Sequence, residues 1–75
     1  MDNKFVTAKE IAKKYVLSYQ VINRYTDVGL LPPVFKKGNK RFYSRKLVEK
    51  RMTQILSLIR QGYPLFVIRK KLVGI

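Results

Sequence analysis

Four cations lie close together around a Gly-Asn pair in the segment VFKKGNKRFY, residues 34–43. They are Lys36, Lys37, Lys40 and Arg41. If the Gly-Asn pair is a two-residue hairpin loop, each cation lies opposite another one across the two strands. Like charges at such positions destabilise a hairpin, so the segment is better suited to contacting an anion. We expect it to bind DNA phosphates, which fixes position but reads no sequence. The alternative is an ordinary solvated run of charges.

A second group of polar residues lies upstream, on one face of a predicted helix. It comprises Tyr19, Gln20, Asn23 and Arg24. Gln and Asn can pair with adenine and Arg with guanine in the major groove. We therefore predict base or backbone contacts from this face, the alternative being an ordinary polar surface. Asp27 on the same face would repel phosphate, so we expect it to pair with a Lys or Arg or to lie outside the contact area.

Enzymatic chemistry is not expected. The sequence has no histidine and no cysteine, and its four acidic residues are scattered along the chain. These residues offer no general acid–base pair, metal shell or activated nucleophile. We predict no catalytic site, no metal and no cofactor.

The charge balance favours nucleic acid as the partner. Among 75 residues, 17 are basic and 4 acidic, which gives a formal net charge of +13. An anionic membrane surface is the second candidate, but basic and apolar residues are not segregated along one long helix. No segment resembles a signal peptide or a membrane span, so a cytoplasmic, nucleoid-associated protein is expected.

The spacing of apolar residues predicts one domain, 1–75, that is mostly α with a small β-hairpin. A helix-turn-helix unit covers 8–28, with helix caps at Thr7 and Ser18 and a stop at Gly29. The basic hairpin covers 34–43, and helices follow at 45–60, capped by Ser44, and at 65–73. Tyr43 is expected to pack between the hairpin and the third helix.

Two apolar residues break the pattern of the last helix. Its inward stripe is already filled by Leu65, Ile68 and Leu72, so Phe66 and Val67 are predicted to face outward. With nearby Val73 and Ile75 they suggest a docking surface for a second subunit or another protein. The alternative is that they are isolated exposed apolar residues, which are common.

Four motifs carry a resemblance to a known family. They are EIA at 10–12, NRYTDVGLLPP at 23–33, GNKRFYS at 38–44 and QGYPLFVIRKKL at 61–72. In this order they resemble the DNA-binding domain of the MerR family of bacterial transcription regulators. The resemblance implies a winged helix-turn-helix with four helices, in which the second helix enters the major groove and the hairpin, as the wing, contacts flanking backbone. It also implies a homodimer on pseudo-palindromic promoter DNA, and it suggests that the hydroxyl of the core residue Tyr25 donates to a phosphate.

The sequence departs from the family pattern in three places. Val16 stands where the turn usually carries glycine, so we expect a turn of different geometry, without a positive φ at this residue. Asn23 stands where an arginine is common, with Arg24 beside it, which suggests that DNA contacts are redistributed. The long dimerisation helix and the effector region are missing from the 75 residues, which suits either a domain of a longer regulator or a self-contained binder.

The function favoured by these patterns is sequence-specific binding of double-stranded DNA by a transcription regulator. One alternative is an architectural protein of the phage or plasmid excisionase type, which shares the winged fold. A second is a protein-interaction module whose contact with DNA is non-specific.

Overall fold

Four helices and one small antiparallel sheet make up the part of the chain that the computed structural model describes, residues 4–74. The elements, in chain order, are β1 (Phe5–Thr7), α1 (Ala8–Tyr15), α2 (Tyr19–Asp27), β2 (Phe35–Lys37), β3 (Lys40–Ser44), α3 (Arg45–Arg60) and α4 (Leu65–Val73). The predicted fold class, mostly α with a β-hairpin and four helices, is confirmed. α2 ends one residue earlier than predicted.

Helices α1, α2 and α3 begin where the sequence places caps. At α1 the Thr7 hydroxyl accepts from the Glu10 amide at 3.3 Å, while the Thr7 amide donates to the Glu10 carboxylate at 2.8 Å. Ser18 and Ser44 each accept from the backbone amide three residues further on. Each cap satisfies an amide that the first turn of a helix leaves without a partner.

The basic hairpin has the predicted register. Lys37 pairs with Lys40, and Lys36 pairs with Arg41. Gly38 has a φ of 62°, a value that the first residue of such a tight loop requires and that glycine adopts without strain. The like-charge pairs across the hairpin are therefore real.

The sheet has a third strand that the sequence did not predict. β1 pairs with β3 on the side away from β2, so that β3 is the central strand. Three residues are too few to show an alternating pattern. Their pairing fixes the start of α1 against the hairpin.

The core lies between the helices and the inner face of the sheet. Its buried members are Val6, Ala8, Ile11, Ala12, Ile22, Tyr25, Leu30, Leu31, Tyr43, Val48, Met52, Ile55 and Ile68. Tyr43 is fully buried, which confirms its predicted packing role. The loop after α2 is held against α3 because Arg51 donates to the Leu30 carbonyl at 2.9 Å.

The turn between α1 and α2 contradicts the prediction for Val16. Its φ and ψ are 56° and 48°, in the left-handed region. This conformation allows the Leu17 amide to donate to the Ala12 carbonyl at 2.9 Å and the Val16 amide to donate to the Lys13 carbonyl at 3.4 Å. These two bonds close the helix end in the way that glycine usually does. The closure of a short connection therefore outweighs the preference of a β-branched residue.

Replacing Val16 with glycine should stabilise the domain. The valine side chain is 88% exposed, so its removal loses little packing. A left-handed backbone costs an L-residue about 1–2 kcal/mol, part of which is offset by the greater freedom of glycine in the unfolded chain. We expect Val16→Gly to raise the free energy of unfolding by about 1 kcal/mol, and the melting temperature by about 4–8 °C. Urea and thermal melts of Val16→Gly and Val16→Ala measure this, and an unchanged or lower value for glycine would contradict it.

Candidate nucleic-acid interface

An open groove runs between α2 and the hairpin. It is lined by one row of α2 residues at a spacing of four, Tyr19, Asn23 and Asp27, and by three hairpin residues, Lys36, Asn39 and Arg41. Its volume is about 270 Å³, far above the ~10–15 Å³ that a cavity needs on this measure to hold one water molecule. Hydrated anionic groups can therefore enter it.

The remaining predicted residues of α2 form a second row. Gln20 and Arg24 are four residues apart, both are exposed, and neither lines the groove. Residues at this spacing are neighbours on a helix surface. The predicted polar face is thus divided between a row that faces the hairpin and a row that is free to meet a ligand in front of the helix.

Strand alternation divides the four hairpin cations in the same way. Lys36 and Arg41 are paired and lie on the groove side. Lys37 and Lys40 form the next cross-strand pair, and their side chains alternate to the opposite side of the sheet. We call this side, which also carries Phe5, Phe35 and Phe42, the outer sheet face. Lys40 also reaches a second depression near the starts of α1 and α2. The structure therefore brings two of the four predicted cations directly beside α2.

A hydrogen bond between side chains fixes α2 against the hairpin. The hydroxyls of Thr26 and Tyr43 are 2.7 Å apart and share one hydrogen bond. Tyr43 belongs to the central strand β3, so this contact sets the position of α2 relative to the groove-side cations. Sequence reasoning missed Thr26, because nothing in its neighbourhood signals a partner 17 residues away.

The element order, the hairpin register and the groove together match a known pattern. The model of the MerR helix-turn-helix family of regulatory proteins matches residues 6–74. This chain belongs to the MerR family. No curated protein and no solved structure matches the chain significantly. Family membership establishes a DNA-binding regulator domain.

The three acidic residues within 4–74 of this MerR domain have different surroundings. Within residues 4–74, Glu10 caps α1 and Glu49 forms an exposed salt bridge with Lys14 at 3.3 Å. In the same range Asp27 forms no salt bridge, so the expected pairing with a Lys or Arg is not observed, and Asp27 lines the groove. Its position relative to bound DNA stays a prediction. An unpaired carboxylate beside Lys36 and Arg41 lowers the local positive potential.

Tyr25 is a core residue, as the sequence suggested. Its ring is buried, with 5% of the residue exposed, and burial raises the pKa of its hydroxyl. The hydroxyl therefore stays protonated at neutral pH and is available as a hydrogen-bond donor. The buried ring is confirmed, whereas the phosphate contact stays a prediction.

The predicted partner surface on α4 is smaller than expected. Phe66 is 67% exposed, but Val67 is partly buried, so the outward pair reduces to Phe66. Tyr63 lies near the start of the helix, with the Lys71 ammonium 4.8 Å from its ring centroid. Ile75 lies outside the described residues. A partner at Phe66 stays a prediction.

Two further findings on this MerR domain concern membranes and metal ions. Between residues 4 and 74, no helix is both long and apolar enough to cross a lipid bilayer. In the same range no three His, Cys, Asp or Glu residues cluster in a way that could hold a metal ion.

Proposed function

We propose that the domain binds double-stranded DNA sequence-specifically, with α2 in the major groove and the hairpin, as the wing, on the adjacent phosphate backbone. The observation that carries the proposal is that two polar surfaces occur together on one side of the domain. One is the exposed row of Gln20 and Arg24 on α2, and the other is the pair of cations, Lys36 and Arg41, that lines the groove beside α2. A helix with its side chains is about 10–12 Å wide, which fits the ~12 Å major groove. At nine residues, α2 is about 13 Å long, enough for its exposed rows to reach several base pairs.

The roles of the residues follow from their positions. Gln20 and Arg24 are assigned to base edges, because both are exposed and each can form paired hydrogen bonds with a purine. Tyr19 and Asn23 border the groove and are assigned to the boundary between bases and backbone. Tyr25 supplies a hydroxyl donor to a phosphate from behind this row.

The groove-side wing cations are assigned to phosphates. Lys36 and Arg41 contact the phosphates of the DNA strand nearest α2. Within residues 4–74 neither of them forms a salt bridge, so both are available for this contact. Lys37 and Lys40 lie at the hairpin tip on the outer sheet face, so they attract the duplex at longer range and are not assigned to a phosphate. These contacts carry affinity and orientation, not sequence information.

The same proposal includes the biological setting. We expect a cytoplasmic, nucleoid-associated regulator that acts as a homodimer on two related half-sites. Half-sites read by two recognition helices are separated by about one helical turn of DNA or a multiple of it. Their spacing therefore reports on the dimer.

Selection of bound sequences from random duplexes, followed by footprinting on the enriched site, tests the proposal. We expect one enriched motif, present as two half-sites, with protection of the major groove over each. Enrichment of no sequence would contradict specific binding and favour a module with non-specific DNA contact. Protection of direct repeats at recombination attachment sites would instead indicate an architectural role.

Asp27 provides a test of the groove itself. Asp27→Asn removes an unpaired negative charge beside the wing and should strengthen binding to all duplexes by about 2–5-fold, within the range of exposed charge interactions. Glu49→Gln changes the net charge equally on α3 and should have a smaller effect. Titration of labelled duplexes measures both variants. Weaker binding of Asp27→Asn to one sequence alone would mean that the carboxylate accepts from a cytosine amino group instead.

A further inference from the structure

The outer sheet face carries an apolar cluster that DNA binding does not explain. Phe35 and Phe42 are cross-strand partners, and their rings are stacked 4.8 Å apart. Phe5 meets the Phe35 ring edge-on, with the centroids 5.2 Å apart. Phe5 and Phe35 nevertheless remain 45% and 42% exposed. Three adjacent phenyl rings at the surface are more than the scattered exposure expected of a soluble domain.

This cluster is turned away from the proposed DNA contact. Arg41 and Lys36 alternate to the groove side, whereas Phe42 and Phe35 alternate to the opposite side. A duplex held by α2 and the groove-side cations therefore leaves the three rings accessible. The domain can present them while it is bound to DNA.

The charges on the outer sheet face indicate the chemistry of a partner. Lys37 and Lys40 lie directly opposite each other at the end of this face, and within residues 4–74 neither forms a salt bridge. Their mutual repulsion destabilises the hairpin, and a carboxylate placed between them would relieve it. No acidic residue lies at any strand position of this face.

We propose that the outer sheet face docks an acidic segment of another protein, with a large apolar side chain against the three rings and carboxylates between Lys37 and Lys40. This interaction is additional to DNA binding and gives the DNA-bound domain a second partner. The rings supply the apolar contact area, and the lysine pair supplies selectivity for acidic segments.

Two other occupants fit less well. A second copy of this chain carries only four acidic residues against 17 basic ones, and Glu10 and Glu49 are already engaged in a cap and a salt bridge. Single-stranded nucleic acid binds by stacking bases on free ring faces. Phe35 and Phe42 already cover each other's facing sides, since their planes differ by only 9°.

The test measures binding of a fluorescent peptide made of Asp-Glu-Leu-Phe repeats to the full chain saturated with duplex DNA. We expect binding that Phe35→Ala weakens by about fivefold or more, the loss typical of an apolar anchor. Lys37→Ala should weaken it as well. Phe66→Ala removes an equally large exposed ring from α4 and should leave the affinity unchanged. A control peptide with Asn and Gln in place of Asp and Glu should bind weakly to the parent protein and to every variant.

Several outcomes would overturn the proposal. Equal losses in Phe35→Ala and Phe66→Ala, or none in Phe35→Ala, would show that the rings are not the contact. If oligothymidine displaces the peptide from the parent domain but not from Phe35→Ala, the face binds single-stranded nucleic acid. Sedimentation showing self-association that is lost in Phe35→Ala would assign it to a second copy. Binding of duplex DNA is measured on the same samples. If the domain binds no duplex, the peptide is titrated into the domain without DNA, and that result decides the docking proposal independently of the proposed function.

Discussion

Replacing Lys36 and Arg41 together with alanine should weaken binding to every duplex by about 60-fold at 0.1 M salt, whatever its sequence. Each phosphate contact contributes about −0.9 to the slope of log K against log salt concentration, which corresponds to about eightfold in affinity at this salt. The parent domain, with about six contacts, should show a slope of roughly −5. The slope for the double variant should be less steep by about 2.

A control variant separates this result from a simple loss of net charge. Arg60→Ala with Lys70→Ala removes the same number of cations from exposed positions on α3 and α4. We expect a much smaller change in affinity and in salt dependence, because those residues lie outside α2 and the wing. Equal losses in both double variants would mean that DNA is held by diffuse charge, without a defined wing contact.

Arg24→Ala should have the second large effect, and it should be of a different kind. If Arg24 contacts a guanine with two hydrogen bonds, its loss relaxes discrimination at one base pair by about 1–3 kcal/mol. That corresponds to about 5–150-fold in relative affinity. Competition between the selected duplex and duplexes changed at single base pairs measures it. Preferences at the other positions should be retained.

Arg24→Lys distinguishes base reading from phosphate contact. Lysine keeps the charge but lacks the planar pair of donors, so it should preserve most of the affinity and lose much of the discrimination. Lys36→Ala on the wing should instead lower the affinity for all duplexes equally. If Arg24→Ala also weakens all duplexes equally, Arg24 contacts the backbone and the bases are read by other residues of α2.

Most of the fold could be predicted because local signals agree with the packing. Caps at Thr7, Ser18 and Ser44 mark helix starts, and the apolar spacing that follows each of them fits one buried face. The Gly-Asn loop sets the hairpin register, since a two-residue connection leaves no alternative pairing. β1 was missed because its three residues carry no periodic signal of their own.

Val16 shows where residue preference fails as a guide. Its type argues against a left-handed backbone, but the connection between α1 and α2 needs one to satisfy the last carbonyls of α1. The cost, about 1–2 kcal/mol, is smaller than the loss of that closure together with the packing of two helices. A family pattern with glycine at this position was the better guide.

The candidate site was predictable in composition and not in arrangement. The sequence identified the exposed face of α2 and the four wing cations, and the structure divides each set into two rows with different surroundings. The position of Asp27 inside the groove depends on how the hairpin packs against α2, through Thr26 and Tyr43. Long-range contacts of this kind leave no trace in local spacing.

The central claim is that α2 and the groove side of the wing form the DNA interface. Backbone amide chemical shifts, recorded while the selected duplex is titrated into the labelled domain, test it most directly. We predict the largest changes at Tyr19, Gln20, Asn23 and Arg24 and at Lys36 and Arg41, with little change along α4. Changes concentrated on α4 or on the outer sheet face, with α2 unaffected, would contradict the account.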